Sequence, residues 1–308
     1  MRCLYRILIC FSIVVALFIF SITEQALAAP ISITEMSAKD FFVSGVEKAQ
    51  KGDLNQAIAD FTQAISLNPN FANAYSNRCL VYTQLADYQH AIDDCTQALQ
   101  LNPNNTEAYL NRGLAYYNQE RYPEAIADCN RVIQLKPYDF RAYYNRGLVR
   151  FAQEDYQTAI ANYNQALRQN LRQDGSVLAT IYNDRGLAYL QQGNTSGAIA
   201  DFSVAIRLNT HDARAYYNRG CACHRRGDYP GAIRDFTEAL RRHPHQAEAY
   251  INRGLVRYQM GYVQAAFEDL HRGANCFCDR GLMEAYQQTL NLIQTLQRQS
   301  PSLESAIA

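Results

Sequence analysis

One five-residue string is written repeatedly along this chain, and its spacing constrains the fold more than any other feature. Ala74-Tyr75-Ser76-Asn77-Arg78, Ala108-Tyr109-Leu110-Asn111-Arg112 and Ala142-Tyr143-Tyr144-Asn145-Arg146 recur at a constant interval of 34. The same interval separates Ala215-Tyr216-Tyr217-Asn218-Arg219 from Ala249-Tyr250-Ile251-Asn252-Arg253. A variant, Ile181-Tyr182-Asn183-Asp184-Arg185, lies between the two runs, and a divergent first copy keeps Phe41, Gly45 and Ala57 in register. Seven copies thus begin near Ala38, Ala72, Thr106, Phe140, Ala179, Ala213 and Ala247. A period of this size marks a repeat architecture, in which one supersecondary unit recurs and buries its apolar face on its neighbours. The copying of one aromatic position also explains why the chain has 22 Tyr and no Trp.

Each copy reads as two helices. The first carries an aromatic and, four positions on, a small residue: Gly45, Cys79, Gly113, Gly147, Gly186, Gly220 or Gly254. The second carries Ala57, Ala91, Ala125, Ala159, Ala198, Ala232 or Ala266, always at i+12 from the small one. Small residues at matching heights predict close approach of the two antiparallel helices. Pairs such as Gly52-Asp53, Ala86-Asp87, Gly193-Asn194 and Gly227-Asp228 form the turns. Pro69, Pro103, Pro137 and Pro244 end the second helices of their copies, because proline cannot continue a helix.

This helix-turn-helix unit closely resembles the tetratricopeptide repeat, over about residues 38 to 280. The resemblance implies an all-α, right-handed superhelical solenoid whose concave groove binds a peptide or a partner protein. Elementary packing agrees, since one helix pair cannot bury its own apolar face. Repeats 1–4 are placed at 38–178 and repeats 5–7 at 179–280. The interval between the fourth and fifth copies is 39 rather than 34, with the extra residues near 170–176. They either lengthen a helix or open a loop. The seventh copy decays at Gly273 and Cys278, residues 281–299 read as a capping helix, and 300–308 as a tail.

Charge removes some functions. Lys plus Arg and Asp plus Glu number 29 each, so no long-range field draws nucleic acid. Residues 1–28 differ from the rest: Arg2 and Arg6 precede an apolar run from Ile7 to Ile22, and Ala26 and Ala28 give a small-x-small site. The segment reads as a signal peptide cut after Ala28, followed by a linker at 29–37. The alternative is an uncleaved anchor that associates the protein with a membrane, since the run approaches the length of a short span.

The Arg of each string stands where the related family more often has an apolar residue, and a half-buried guanidinium needs a partner. An Asp lies at i+16 from five of them, giving Arg78–Asp94, Arg112–Asp128, Arg185–Asp201, Arg219–Asp235 and Arg253–Asp269. In the fourth copy Arg146 meets Asn162, and in the first Asp60 faces Ser44. Pairing each Asp with the next copy's Arg, such as Asp60 with Arg78, is the rival register, but it leaves Asp269 unexplained. Five identical pairs read as structure, not catalysis.

Asn77, Asn111, Asn145, Asn218 and Asn252 share one position, filled by Asp184 in the fifth copy. In related repeat domains this position points into the groove and contacts the peptide. An amide both donates and accepts, so a row of them can read an extended backbone. The rival role is to bond neighbouring helices and hold the stack. The family's carboxylate clamp also needs Lys and Asn on the first helix. Phe42 and Val46 stand there, so no acidic C-terminal motif is expected. The inferred groove rows are partly apolar: Leu110, Tyr144, Tyr217 and Ile251 in one, Leu80, Leu114, Leu148 and Leu187 in the next. Tyr117, Phe151 and Tyr258 extend them, and Arg141 and Arg214 add cations. The pattern suits an amphipathic partner segment, although apolar residues at helical spacing also pack between repeats.

Seven cysteines follow the leader. Cys79, Cys95 and Cys129 read as small apolar fillers. Cys221, Cys223 and His224 provide too few convergent ligands for zinc. Cys276 and Cys278 fall in a segment read as irregular, and a disulfide between them suits an oxidising compartment. No phosphate loop, nucleophile elbow or metalloprotease motif is present. The sequence therefore points to an exported, monomeric interaction scaffold, located in a periplasm or lumen-like space, without cofactor, metal or catalysis. Its rival is an assembly or stability factor for a membrane complex, held by an uncleaved N-terminus.

Overall fold

The computed structural model describes residues 36–169 and 175–299. The leader, most of the linker, the tail and residues 170–174 of the insertion lie outside the described residues. Among the described residues there are fifteen α-helices and no strand. Seven hairpins follow one another: α1 (Ala38–Lys51) with α2 (Leu54–Leu67), α3 (Ala72–Gln84) with α4 (Tyr88–Leu101), and α5 (Thr106–Asn118) with α6 (Tyr122–Leu135). Then come α7 (Phe140–Ala152) with α8 (Tyr156–Gln169), and α9 (Gly175–Gln191) with α10 (Thr195–Leu208). The last two hairpins are α11 (Ala213–Arg226) with α12 (Tyr229–Arg242) and α13 (Ala247–Gln259) with α14 (Val263–Asp279). Helix α15 (Met283–Gln299) packs on α14.

Local chemistry sets the helix ends. Ser37 and Asp40 form a reciprocal capping box at α1. Asp87, Asn105, Asn194 and Asp228 each accept a backbone N–H three positions on, satisfying an orphan donor of the first turn. The corner between the two helices of a hairpin needs one left-handed residue. Gly52, Gly193, Gly227 and Gly261 supply it in four copies, while Ala86, Glu120 and Glu154 adopt φ near +60° in the others.

The alanines at the shared second-helix position are fully buried in all seven copies. The small residue of the first helix lies against the predicted alanine's backbone in two copies, Gly113 by the Ala125 carbonyl and Gly254 by the Ala266 carbonyl, but in four others it faces a different neighbour. A Cβ on Gly45, Gly147, Gly186 or Gly220 would meet the ring of Phe61, Tyr163, Phe202 or Phe236, which stands at i+16 in each copy. In those four copies the missing side chain makes room for a buried aromatic rather than for the alanine. In the second copy this pair is Cys79 and Cys95, and they form a disulfide. The reading of both as apolar fillers is thus corrected: two sulfurs in one bond occupy the place of a ring over a glycine. Cys129 remains a free, buried thiol whose pKa burial pushes up to about 12.

One open alternative is decided and one further expectation changes. The insertion lengthens a helix, because α9 begins at Gly175, a turn before Ala179. The seventh copy does not end in an irregular segment; α14 continues as helix through Cys276 and Cys278 to Asp279. Residues two apart on a helix point away from each other, and both cysteines are free thiols.

First helices of successive copies touch one another, α1 with α3, α3 with α5, α5 with α7, α9 with α11 and α11 with α13. Second helices touch the first helix of the next copy rather than each other. First helices therefore line the inner face of a curved stack, and second helices the outer face. Between α7 and α9, where the insertion falls, the first helices approach less closely.

Candidate interaction groove

The inner face stands on a ladder of guanidinium groups. Arg78 donates Nε and Nη2 to the two oxygens of Asp94 at 2.6 and 2.7 Å. Arg112, Arg185, Arg219 and Arg253 grip Asp128, Asp201, Asp235 and Asp269 in the same forked manner, all within one copy. Such bidentate pairs are among the strongest hydrogen-bonded contacts.

A third contact was not foreseen from sequence. Each Nη1 crosses to the second helix of the preceding copy. Arg78 reaches Thr62, Arg112 reaches Thr96, Arg219 reaches Ser203 and Arg253 reaches Thr237, at 2.8 to 3.1 Å. Arg146 uses Asn130, and Arg185 uses Asn164. One side chain thus ties three helices. The signal was present: a hydroxyl or amide recurs at i−16 from the Arg, and at i−21 from Arg185 because the insertion intervenes. Tyrosines on the same helix flank the cations, as Tyr75 and Tyr82 flank Arg78 at 5.8 and 6.0 Å.

Two copies vary the theme. Asp60 takes Ser44 and Lys48, each at 2.6 Å. Arg146 meets the neutral Asn162 at 2.7 Å, and burial lowers its pKa from the ordinary value. One turn on, Arg150 has a buried Nε without a hydrogen-bond partner among the described residues. The equivalent Arg257 of the seventh copy bonds Asp269 at 2.8 Å.

The amide ladder divides. Asn111 and Asn145 are half-buried, and their side chains make no hydrogen bond among the described residues. Asn77 donates to the Asn73 carbonyl of its own helix at 2.9 Å. Asn218 is buried and donates to Asn183 Oδ1 on the preceding first helix at 2.9 Å. Asn252 donates to the Tyr217 hydroxyl at 2.9 Å. The last two therefore do the stacking job rather than present free amides.

Other groove candidates also turn inward. Tyr217 is 3% exposed and Leu110 6%, so neither offers a contact surface. Tyr144 donates its hydroxyl to Asp184 at 2.7 Å. Arg141 is held by Glu107 and Asp139. Burial opposes the charge on Asp139, but the bonds from Arg141 prevail and hold its carboxyl below its ordinary pKa. Arg214 pairs with Asp212 at 3.0 Å. Neither cation stands unpaired on the inner face.

Next to Cys221 and Cys223, His224 bonds Gln259 at 2.9 Å, and the described residues gather no group of three or more His, Cys, Asp or Glu that could hold a metal. No helix among the described residues is long and apolar enough to cross a membrane.

Comparison with known proteins agrees with the geometry. Tetratricopeptide repeat patterns match residues 45–85, 72–105, 106–139, 138–211 and 213–246. No curated protein matches the chain in sequence. Among solved structures, a tetratricopeptide repeat protein from Parabacteroides merdae ATCC 43184 is 20% identical, with a TM-score of 0.64 over 83% of this chain and 98% of its own. The Cut9-Hcn1 hetero-tetramer of APC/C is 20% identical, with a TM-score of 0.64 over 71% of this chain; this chain spans 43% of that one. YrrB, described as a repeat protein with an unusual peptide-binding site, is 21% identical, with a TM-score of 0.50 over 63% of this chain and 97% of its own. At these identities the likeness is one of fold.

Proposed function

The chain belongs to the tetratricopeptide repeat family, and from that premise we propose that it is an exported interaction scaffold that holds a peptide segment on its inner face. The observation that carries this reading is the pair Asn111 and Asn145. They occupy one position on successive first helices, they are half-exposed, and the protein itself supplies them no partner among the described residues. An unused amide on a concave surface can donate to and accept from a guest backbone. YrrB, a protein of the same fold, has a peptide-binding site, which is in keeping with this use. We assign the protein no catalytic role. The recurring charged residues are consumed in pairs that repeat along the stack, and repeated pairs are scaffold chemistry.

Two features favour export. One is the leader with its small-x-small site at Ala26 and Ala28. The other is the Cys79–Cys95 disulfide, since such bonds persist in oxidising compartments. N-terminal sequencing of the protein from its host tests this: a chain starting at Ala29 supports export with cleavage. A chain that keeps the Ile7–Ile22 run and pellets with membranes favours the anchored assembly factor instead.

Binding is tested by panning the full chain against a displayed library of random peptides. The scaffold reading expects specific binders that the Asn111→Ala, Asn145→Ala double variant fails to retain at wild-type affinity. If panning returns no peptide above background, the reading fails.

A further inference from the structure

We infer that recognition is confined to the first half of the inner face, between α3 and α7, and that the second half is closed by the protein's own side chains. This rests on the proposed groove and says where its guest lies. From α9 onward, the polar side chains at the ladder position are engaged internally. Tyr144 donates to Asp184, which also accepts from Asn183 at 3.3 Å, and Asn183 in turn accepts from Asn218. The pattern continues as Asn252 donates to Tyr217. An amide already bonded to a buried neighbour cannot read a guest without losing that bond. The cost of leaving its buried partner unsatisfied would cancel what the guest supplies.

Before α9 the situation reverses. Asn111 and Asn145 have no partner among the described residues; Leu114, one turn on from Asn111, and Leu80 on the preceding first helix are half-exposed, while Leu148 beside Asn145 packs against the core of its own copy. Neither Leu80 nor Leu114 belongs to a buried cluster or to its packed rim among the described residues, whereas Tyr217, Leu187 and Cys221 do. Two unused amides on successive first helices, Asn111 and Asn145, with aliphatic side chains nearby, fit an extended segment. Its backbone would meet the amides and its apolar side chains the leucines. The flanking cations do not select acid, because Arg141 is neutralised by Glu107 and Asp139, and Arg214 by Asp212. The occupant is therefore an uncharged, extended peptide with aliphatic side chains.

The test uses a synthetic peptide taken from the panning above and two double variants of the full chain. Asn111→Ala with Asn145→Ala should weaken binding by at least about tenfold, the equivalent of one or two lost hydrogen bonds, at unchanged Tm. Asn218→Ala with Asn252→Ala should lower Tm yet bind within about twofold of wild type at temperatures where both are folded. A photo-crosslinker in the peptide should label α3, α5 or α7. Labelling confined to α11 or α13, or equal losses of affinity from both double variants, would overturn the inference while leaving the groove itself standing. A panning that yields no peptide ends both.

Discussion

The Tyr144 hydroxyl donates to the Asp184 carboxylate at 2.7 Å, linking α7 to α9 at the one place where the interval between copies widens. In the other central copies the position of Asp184 holds Asn. Burial raises the Asp184 pKa above its ordinary value. The bond from Tyr144, the charge of Arg214 and the bond from Asn183 pull the other way, and Asp212 adds to the rise. Tyr117 of α5 and Tyr163 of α8 also face it.

The sign follows from linkage. In the pH window between the unfolded carboxyl value, roughly 3.9, and the raised folded one, the native state holds more protons than the unfolded state. Stability therefore falls as pH rises through that window, and the loss persists at neutral pH. Asp184→Asn removes it, since an amide oxygen can still accept from Tyr144, and the bond lost to Asn183 is the long one. Thermal melts should show Asp184→Asn with a higher Tm than wild type at pH 7, and no advantage below about pH 4. An equal Tm difference at both pH values would show that charge is not the cause.

The fourth copy lacks a carboxylate where two cations converge. Asn162 accepts from Arg146 Nε at 2.7 Å and donates to the Thr158 carbonyl at 2.7 Å, while Arg150 Nε is buried and has no hydrogen-bond partner among the described residues. Asn162→Asp should recreate the fork seen on Asp128 and Asp201 and offer an anion to Arg150. A gain of about 1–2 kcal/mol is the scale of a hydrogen bond to a charged group. Urea unfolding would report it as a higher midpoint at unchanged slope. A lower midpoint would mean that the contact with Thr158 outweighs the charge.

The disulfide makes a second-copy prediction. Closing a loop of this size removes about 3 kcal/mol of unfolded-state entropy in the chain-entropy account. Both sulfurs are fully buried, so reduction should be slow in the native state and lower Tm once complete. Cys79→Gly with Cys95→Phe installs the glycine-and-ring pair of the first, fifth and sixth copies. That variant should fold and show the same Tm with and without reductant. A wild-type Tm insensitive to full reduction would remove the stabilising role of the bond.

How much of this was readable in advance depends on what kind of information each contact needs. The Arg–Asp forks are readable because both residue types recur at one fixed interval and a half-buried guanidinium needs a hydrogen-bonding partner. The crossing bond to Thr62 or Ser203 uses residues that vary among hydroxyl and amide, so no single letter repeats. The Cys79–Cys95 bond hides because each cysteine, taken alone, is a plausible filler. Only their common interval with Gly45–Phe61 and Gly220–Phe236 reveals that they face each other. The division of the amide ladder is not in the letters at all. Asn145 and Asn218 are the same residue in the same string, and they differ because Asn218 has Asn183 opposite it, whereas the first copies place Ser76, Leu110 or Tyr144 at that row.

Glu120 and Glu154 hold hairpin corners at φ of 60° and 61°, where four other copies use glycine. A side chain in the left-handed region costs roughly 1–2 kcal/mol. Glycine relieves that strain but adds unfolded-state entropy, so the net gain of Glu120→Gly should be about 0.5–1 kcal/mol. Calorimetry on the single variants and on Glu120→Gly with Glu154→Gly should show increments that add, since the corners belong to different copies. A destabilised Glu120→Gly would mean that the corner is not strained.

The sharpest check of the packing compares two glycines at one repeat position. A Cβ on Gly113 would sit 3.4 Å from Asp128 Cβ, 3.5 Å from the Ala125 carbonyl and 4.0 Å from Cys129 Sγ, which is ordinary contact. A Cβ on Gly147 would sit 2.6 and 2.8 Å from the Tyr163 ring, which is fully buried and has nowhere to go. Alanine favours a helix over glycine by about 0.8–1 kcal/mol. Gly113→Ala should therefore be neutral or stabilising by up to about that amount. Gly147→Ala meets the same propensity gain but must displace a buried ring, and overpacking of this kind costs about 1–3 kcal/mol. Its midpoint should fall. If both alanines shift stability in the same direction by the same amount, the Tyr163 ring does not rest on Gly147, and the glycine-to-ring contact is not what holds the fourth hairpin together.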